Sequence, residues 1–229
     1  MVRNVVIMKN LIFVGTGAVA AENTCYISTA NYKIEGEDIV LKGYIGDGDD
    51  LIKNHSHYGF TAPILGGVND YQIEDDDRFI IAINNPVTRH KIAEILRSRG
   101  ARFANLIHPS CVIAKDATIG EGNIIAPFGV IGPKAVLGNF NILTSYSAIS
   151  HDCVVGNYNS FSSVIVCGYC QIGDNNSFWI QSTVVSSINI GSNCVIQAGM
   201  VVDKDVPDGT TVFYKYKERI MAIPKLVSE

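Results

Sequence analysis

Residues 119–142 read IGEGNI IAPFGV IGPKAV LGNFNI, four blocks of six that each begin with Ile or Leu. The same aliphatic phase extends both ways. It starts at Ile113 and runs through Ile119, Ile125, Ile131, Leu137, Leu143, Ile149, Val155 and Phe161. It then slips by one residue, resumes at Val166, and continues through Ile172, Phe178, Val184, Ile190, Ile196 and Val202. A strand alternates with period two and a helix repeats near 3.6, so a period of six is a short strand plus a corner, repeated. Three such units close a triangular coil whose ladder residue points inward. Stacked coils bury the ladder and pair each strand with the one above. Glycine often follows the ladder residue, as in Ile131-Gly132, Leu137-Gly138 and Val155-Gly156, where a tight corner needs a backbone without Cβ. The slip predicts a local defect in one coil, with Val166 or Cys167 filling the ladder there. Residues 107–211 are therefore expected to form a left-handed parallel β-helix.

The preceding residues, 1–106, follow a different grammar of alternating strand and helix. Asn10 to Val14 is an apolar strand, and Gly15-Thr16-Gly17-Ala18-Val19-Ala20 leads from it into a helix. Further strands are expected at Ile39 to Ile45, Phe79 to Ile83 and Phe103 to Ile107, and a helix at Pro86 to Ser98. This is a small Rossmann-like parallel sheet. Residues 212–229 are a polar tail, expected to pack as a short helix or strand.

Composition narrows the function. The 229 residues are 47% hydrophobic and 17% charged, with a formal net charge of −4, which suits a globular chain with a sizeable core. No basic excess is available to neutralise a nucleic-acid backbone, and no apolar run is long enough to span a bilayer. The start, Met1 to Met8, has no cleavage site after it, so no signal peptide is read, Met8 is an alternative start, and a cytoplasmic location is expected. The six cysteines need not be a disulfide framework. Cys167-Gly168-Tyr169-Cys170 has the spacing of a metal pair but no second pair accompanies it, so both are read as small strand residues and no metal is expected.

The glycine turn has the form G-x-G-x-x-A, which lets a ligand approach the backbone at a helix N-terminus. A dinucleotide fold prefers an acidic residue about 20 residues on. Asp47 is about 30 on, which favours a nucleotide-linked substrate over a nicotinamide cofactor, with a purely packing role for the turn as the alternative. Asn84 and Asn85 follow the third strand, where open parallel sheets bind ligands. With Arg89 they read either as contacts to a base or phosphate, or as a helix cap and a solvated face.

Of five histidines, four have bland readings. His55 and His57 fall in a polar loop, His90 on a charged helix, and His108 beside Pro109 at the entry to the β-helix. His151 lies two residues past ladder position Ile149, near a corner and outside the aliphatic interior, where regular packing gives no reason for it. An imidazole can accept a proton at neutral pH, and Asp152 can orient it as carboxylates do in catalytic triads; the alternative is an exposed polar corner. A γ-type carbonic anhydrase shares the β-helix but needs three histidines around zinc, and this β-helix holds only His108 and His151.

With these marks the chain resembles the sialic acid O-acetyltransferase-like hexapeptide-repeat sugar acetyltransferases, which include the nucleotide-amino-sugar N-acetyltransferases. The resemblance rests on Gly15-Thr16-Gly17, on Leu106-Ile107-His108-Pro109-Ser110, on His151-Asp152-Cys153 and on Asp205-Val206-Pro207. It implies a homotrimer, a sugar nucleotide in the N-terminal domain, and acetyl-CoA along the β-helix between subunits. His151 is then the general base and Asp152 its orienting acid. Gly15, Gly17, Asp47, Asn84, Asn85 and Thr144 fall where the substrate is held, and Ser160, Gly168 and Ala198 where the donor lies. Four departures stand out: Ser160 replaces a second histidine, Thr144-Ser145 replace Asn-Thr, the slip falls just after Ser160, and Phe213-Tyr214-Lys215-Tyr216 replace a Gly-x-Pro-Ala close. The function expected is acetyl transfer to the amine of a nucleotide-linked sugar. The alternatives are O-acetylation of a free sugar such as sialic acid, or a degenerate member that only binds ligand.

Overall fold

The computed structural model describes residues 8–214; the start of the chain and all but the first three residues of the tail lie outside them. The N-terminal part holds β1 (Met8–Val14), α1 (Ala18–Thr29), β2 (Lys33–Ile34), β3 (Glu37–Ile45), α2 (Asp49–His57), β4 (Ile64–Gly66), β5 (Asp77–Ile81) and α3 (Pro86–Ser98). Strand order is β2-β3-β1-β5, with β4 on β3. All pairings are parallel except the β2–β3 hairpin. Central β1 is fully covered from Leu11 to Val14, as a strand with helices on both faces must be. Two sequence expectations change here. His55 and His57 lie on helix α2 rather than in a loop; the Gly48 N-cap and Asp49 and Asp50 in the first turn start that helix. Leu106–Ile107 does not close the parallel sheet. It pairs with Ile124–Ile125 as the first rung of the β-helix, and Phe103 alone bridges to Phe79.

From Leu106 onward every strand is two residues long, and the strands stack into three parallel faces. The first face runs from Leu106–Ile107 to Thr211–Val212, the second from Val112–Ile113 to Val201–Val202, and the third from Thr118–Ile119 to Asn189–Ile190. This is the left-handed parallel β-helix. Ladder residues from Ile125 to Val202 form one continuous buried core. The slip resolves cleanly. Ile131 pairs with Ile149, eighteen positions on, but Ile149 pairs with Val166, only seventeen on. Val166 is fully buried and Cys167 only partly so, so Val166 is the ladder residue. The missing residue comes out of the corner after Phe161. There the Ser163 side chain donates to the Ser145 carbonyl at 2.9 Å, and the Ser163 N–H donates to Thr144 Oγ1 at 3.0 Å.

The corner glycines owe their identity to stacking. A Cβ on Gly132 would lie 2.6 Å from the His151 nitrogen one coil above, and one on Gly138 would lie 2.6 Å from the Gly156 carbonyl. Left-handed backbone occurs nearby at non-glycine residues, among them Phe128, Phe140, Tyr146, Asp152, Tyr158 and Tyr169. The corner between third and first faces is pinned by asparagines. Asn123, Asn141, Asn159 and Asn176 are completely buried. The Oδ1 of Asn123 accepts the Asn141 N–H at 2.8 Å, that of Asn141 the Asn159 N–H at 2.9 Å, and that of Asn159 the Asn176 N–H at 2.9 Å. Their amide groups donate to the carbonyls of Gly138, Gly156, Gly173 and Gly191. Each asparagine thus satisfies backbone groups that burial would otherwise strand.

The N-terminal sheet docks on the first face, where Leu106, Ile124 and Ile142 join the cluster of Leu11, Phe13 and Tyr44. At this contact Arg89 of α3 is 0% exposed and, among the described residues, has no carboxylate partner. Its Nε donates to the Phe140 carbonyl at 2.8 Å. Nη1 donates to the carbonyls of Ile83 and Asn84, and Nη2 to those of Tyr158 and Asn159 and to Ser160 Oγ. Burial lowers its pKa to about 9; surrounded by oxygen acceptors it is a cation at neutral pH. Arg89 is therefore neither a phosphate contact nor part of a solvated face. Replacing it with Met should leave several buried carbonyls unpaired, at about 1–3 kcal/mol for each one stranded. For Arg89→Met we expect a thermal midpoint lower by roughly 10 °C; an unchanged midpoint in differential scanning calorimetry would show that the contact does not hold the two parts together.

Candidate active site

His151 and Asp152 occupy the corner between the second and third faces, after the strand Ala148–Ile149. Asp152 has φ 56°, and this left-handed turn supplies the bend that adjacent side chains need to meet. Its Oδ2 lies 2.9 Å from His151 Nδ1. The carboxylate fixes the tautomer that leaves Nε2 as the acceptor, and among the described residues Nε2 has no hydrogen-bond partner. The imidazole side chain is 50% exposed. Tyr169, one coil above, meets the ring edge-on with centroids 5.0 Å apart. The sequence reading missed Tyr169, which the repeat alone does not mark as a neighbour of the ring.

The second candidate region is a cavity of about 400 Å³ at the C-terminal ends of β1 and β3. Gly15, Thr16, Gly17, Asp47, Asp50, Asn54, Thr88 and Ile92 are among its walls. Gly15 has φ 98°, and a Cβ there would press on Ile83 at 3.1 Å. Thr16 Oγ1 donates to the Leu51 carbonyl and Asp47 Oδ1 accepts the Val68 N–H, so both loops are tied down. The N-cap of α1 is Gly17, with no capping side chain and no acid in the first turn. Its first amides are free to meet an anion. Among the described residues no Lys or Arg lines the cavity.

The remaining sequence candidates disperse. Asn85 Oδ1 caps α3 by accepting the Thr88 N–H at 2.9 Å, and the Asn84 carbonyl serves Arg89 and Ser160; neither residue is on the cavity wall. Ser160 is buried in the contact between the two parts of the chain. Its hydroxyl is engaged there, accepting from Arg89 and donating to the Asn84 carbonyl. Thr144 braces the shortened coil, and Ala198 is exposed on the same first-to-second corner. Gly168 is on the His151 corner, directly above the imidazole. His108 accepts the Ser110 N–H at 3.0 Å and sits edge-on to Tyr26 and Tyr32, which makes it a junction residue; burial lowers its pKa. Cys170 is buried and donates to the Val185 carbonyl. Among the described residues no three His, Cys, Asp or Glu side chains are grouped to hold a metal ion, and no helix is long and apolar enough to cross a membrane.

This two-part architecture, a parallel-sheet domain set on a left-handed β-helix, is that of solved sugar acetyltransferases. Perosamine N-acetyltransferase from Caulobacter crescentus, solved with CoA and GDP-perosamine, matches 88% of this chain and 92% of its own with a TM-score of 0.75 and 20% identity. The acetyltransferase domain of PglB from Neisseria gonorrhoeae FA1090 matches 89% and 95% with a TM-score of 0.70 and 22% identity; it has also been solved with acetyl coenzyme A. At these identities the likeness is one of fold. In sequence, the UDP-N-acetylbacillosamine N-acetyltransferase of Bacillus subtilis (strain 168) is 36% identical over 63 residues, which are 28% of this chain and 29% of that protein. The match thus spans less than a third of the relative's length. No protein-family model matches the chain.

Asp152→Asn keeps a side chain that tolerates left-handed backbone and removes the charge facing Nδ1. Turnover is expected to fall at least tenfold, with the circular dichroism spectrum unchanged; full turnover would show that the carboxylate does not orient the ring.

Proposed function

We propose that the chain is a hexapeptide-repeat sugar acetyltransferase that moves the acetyl group of acetyl-CoA to the amine of a nucleotide-linked amino sugar. The observation that carries this reading is the His151 imidazole, tied through Nδ1 to Asp152 and half-exposed with Nε2 unengaged. The acceptor amine attacks the thioester carbonyl, a C–N bond forms, and His151 Nε2 takes the ammonium proton. The C–S bond then breaks and CoA leaves as its thiol, to which that proton can pass. General-base help of this kind is worth about 10²–10⁴-fold. The sugar nucleotide is assigned to the cavity of Gly15, Gly17 and Asp47, with its phosphates toward the free amides of α1. The fold shared with enzymes solved with CoA, acetyl-CoA and GDP-perosamine supports the two substrates, and acetyl-CoA as donor fits a cytoplasmic enzyme.

A homotrimer belongs to the same reading. The N-terminal sheet covers the first face, and the corner that carries His151 is the one opposite that face. A chain therefore keeps its own sugar cavity and its own base on opposite sides of the prism, and a complete site draws each from a different subunit. Exposed Val112, Ile165 and Val201 on the second face, and the stacked pair Phe128–Tyr146 at its edge, offer apolar surface for that contact. That the described walls of the cavity carry no Lys or Arg favours a second reading, O-acetylation of a sugar without phosphates; binding of nucleoside diphosphates by calorimetry separates the two.

Incubation with acetyl-CoA and a panel of UDP-, GDP- and dTDP-linked amino sugars should release thiol with one of them. His151→Ala should cut that rate at least 10²-fold, and retained activity would end the assignment of the base. Co-assembling His151→Ala with Thr88→Trp, which fills the cavity, should restore part of the activity that each variant alone lacks. No recovery in mixed oligomers, or a monomer by sedimentation, would refute the shared site.

A further inference from the structure

The imidazole of His151 rests on the coil above it. Counting eighteen residues per coil would put Tyr169 over His151, but the shortened coil brings Gly168 there, and the Tyr169 N–H donates to the His151 carbonyl at 3.1 Å. A methyl group on Gly168 would sit 2.5 Å from Cε1 and 2.7 Å from Nε2 of the ring, closer than real Cβ contacts. Gly168 does not have the left-handed backbone that favours glycine, and the three atoms nearest to an added Cβ all belong to the imidazole. Tyr169 walls the ring at an interplanar angle of 86°, and Asp152 fixes its third side through Nδ1.

We propose that Gly168 and Tyr169 are positioning residues for His151: the missing Cβ admits the ring and the phenol stops it from swinging out of place at its corner. This rests on the reading of His151 as the general base. It differs from a role for Gly168 as a contact to the acetyl donor, because it acts through the imidazole alone. A base displaced by about 1 Å can lose about 10² in rate, while substrate binding is untouched.

The test uses the full-length protein with acetyl-CoA and the acceptor found in the panel. Gly168→Ala should lower kcat about 10²-fold, with KM for both substrates, the oligomer mass and the thermal midpoint unchanged. Gly168→Ala combined with His151→Ala should be no slower than His151→Ala alone, since both changes act on one group. A raised KM for acetyl-CoA with kcat kept, an additive loss in the double variant, or wild-type kinetics would each overturn the proposal. Where Gly168→Ala fails to fold, Tyr169→Ala decides: kcat should fall about tenfold at constant KM, and an unchanged kcat overturns it. Activity retained in His151→Ala sinks the base itself, whereas activity lost there but kept in Gly168→Ala sinks only the positioning role.

Discussion

The arrangement of the two halves depends on one buried cation. Arg89 reaches from α3 across the domain contact and is held by oxygen atoms on both sides of it. A guanidinium without a carboxylate is costly to bury unless every N–H finds an acceptor. The fixed fork of donors matches a backbone that turns through Phe140, Tyr158, Asn159 and Ser160 on adjacent coils, so only one docking geometry satisfies it. Aromatic packing follows the same line. Phe140 and Tyr158 stack with ring centroids 5.1 Å apart, and His90 of α3 stacks on Tyr158 at 4.2 Å. The contact thereby fixes where the glycine-turn cavity lies relative to the β-helix and its histidine corner.

Within the β-helix the limiting constraint is the close approach of successive coils. Aliphatic side chains fill the interior, but the corners bring carbonyls within reach of any Cβ on the coil below. Glycine relieves that crowding at positions with ordinary φ, while most of the left-handed positions beside them carry aromatic and polar residues. Because those side chains stand outward at the corners, the same backbone feature that closes each coil also displays chemistry. One corner presents aromatics that the N-terminal domain covers, and another presents the His151–Asp152 pair.

Much of this was legible in the sequence, for definite reasons. The ladder from Ile113 to Val202 could be read because each coil repeats one burial requirement. The helix Pro86–Ser98 could be read because Asn85 and Pro86 mark its start. His151 stood out because nothing in the repeat requires it. Contacts between residues far apart in the chain were not legible. Arg89 read either as a ligand contact or as part of a solvated face, and its acceptors on the β-helix lie more than fifty positions away. Ser160 looked like a substitute for a donor contact, yet its hydroxyl is committed to the domain interface. The asparagine columns were visible as letters in Gly-Asn-Phe-Asn and Gly-Asn-Tyr-Asn, but their role appears only once coils are stacked and each Oδ1 finds the amide above.

The shortened coil also says where this architecture can vary. One residue is absent after Phe161, yet the strands above resume normal pairing, because each coil takes its position from the coil beneath and not from a distant anchor. A local hydroxyl bridge closes the gap. Length changes at a corner are therefore absorbed on the spot, provided the inward aliphatic and its partner strand survive. Lineages of such proteins can gain or lose corner residues one at a time, altering the outer surface while the interior column stays continuous.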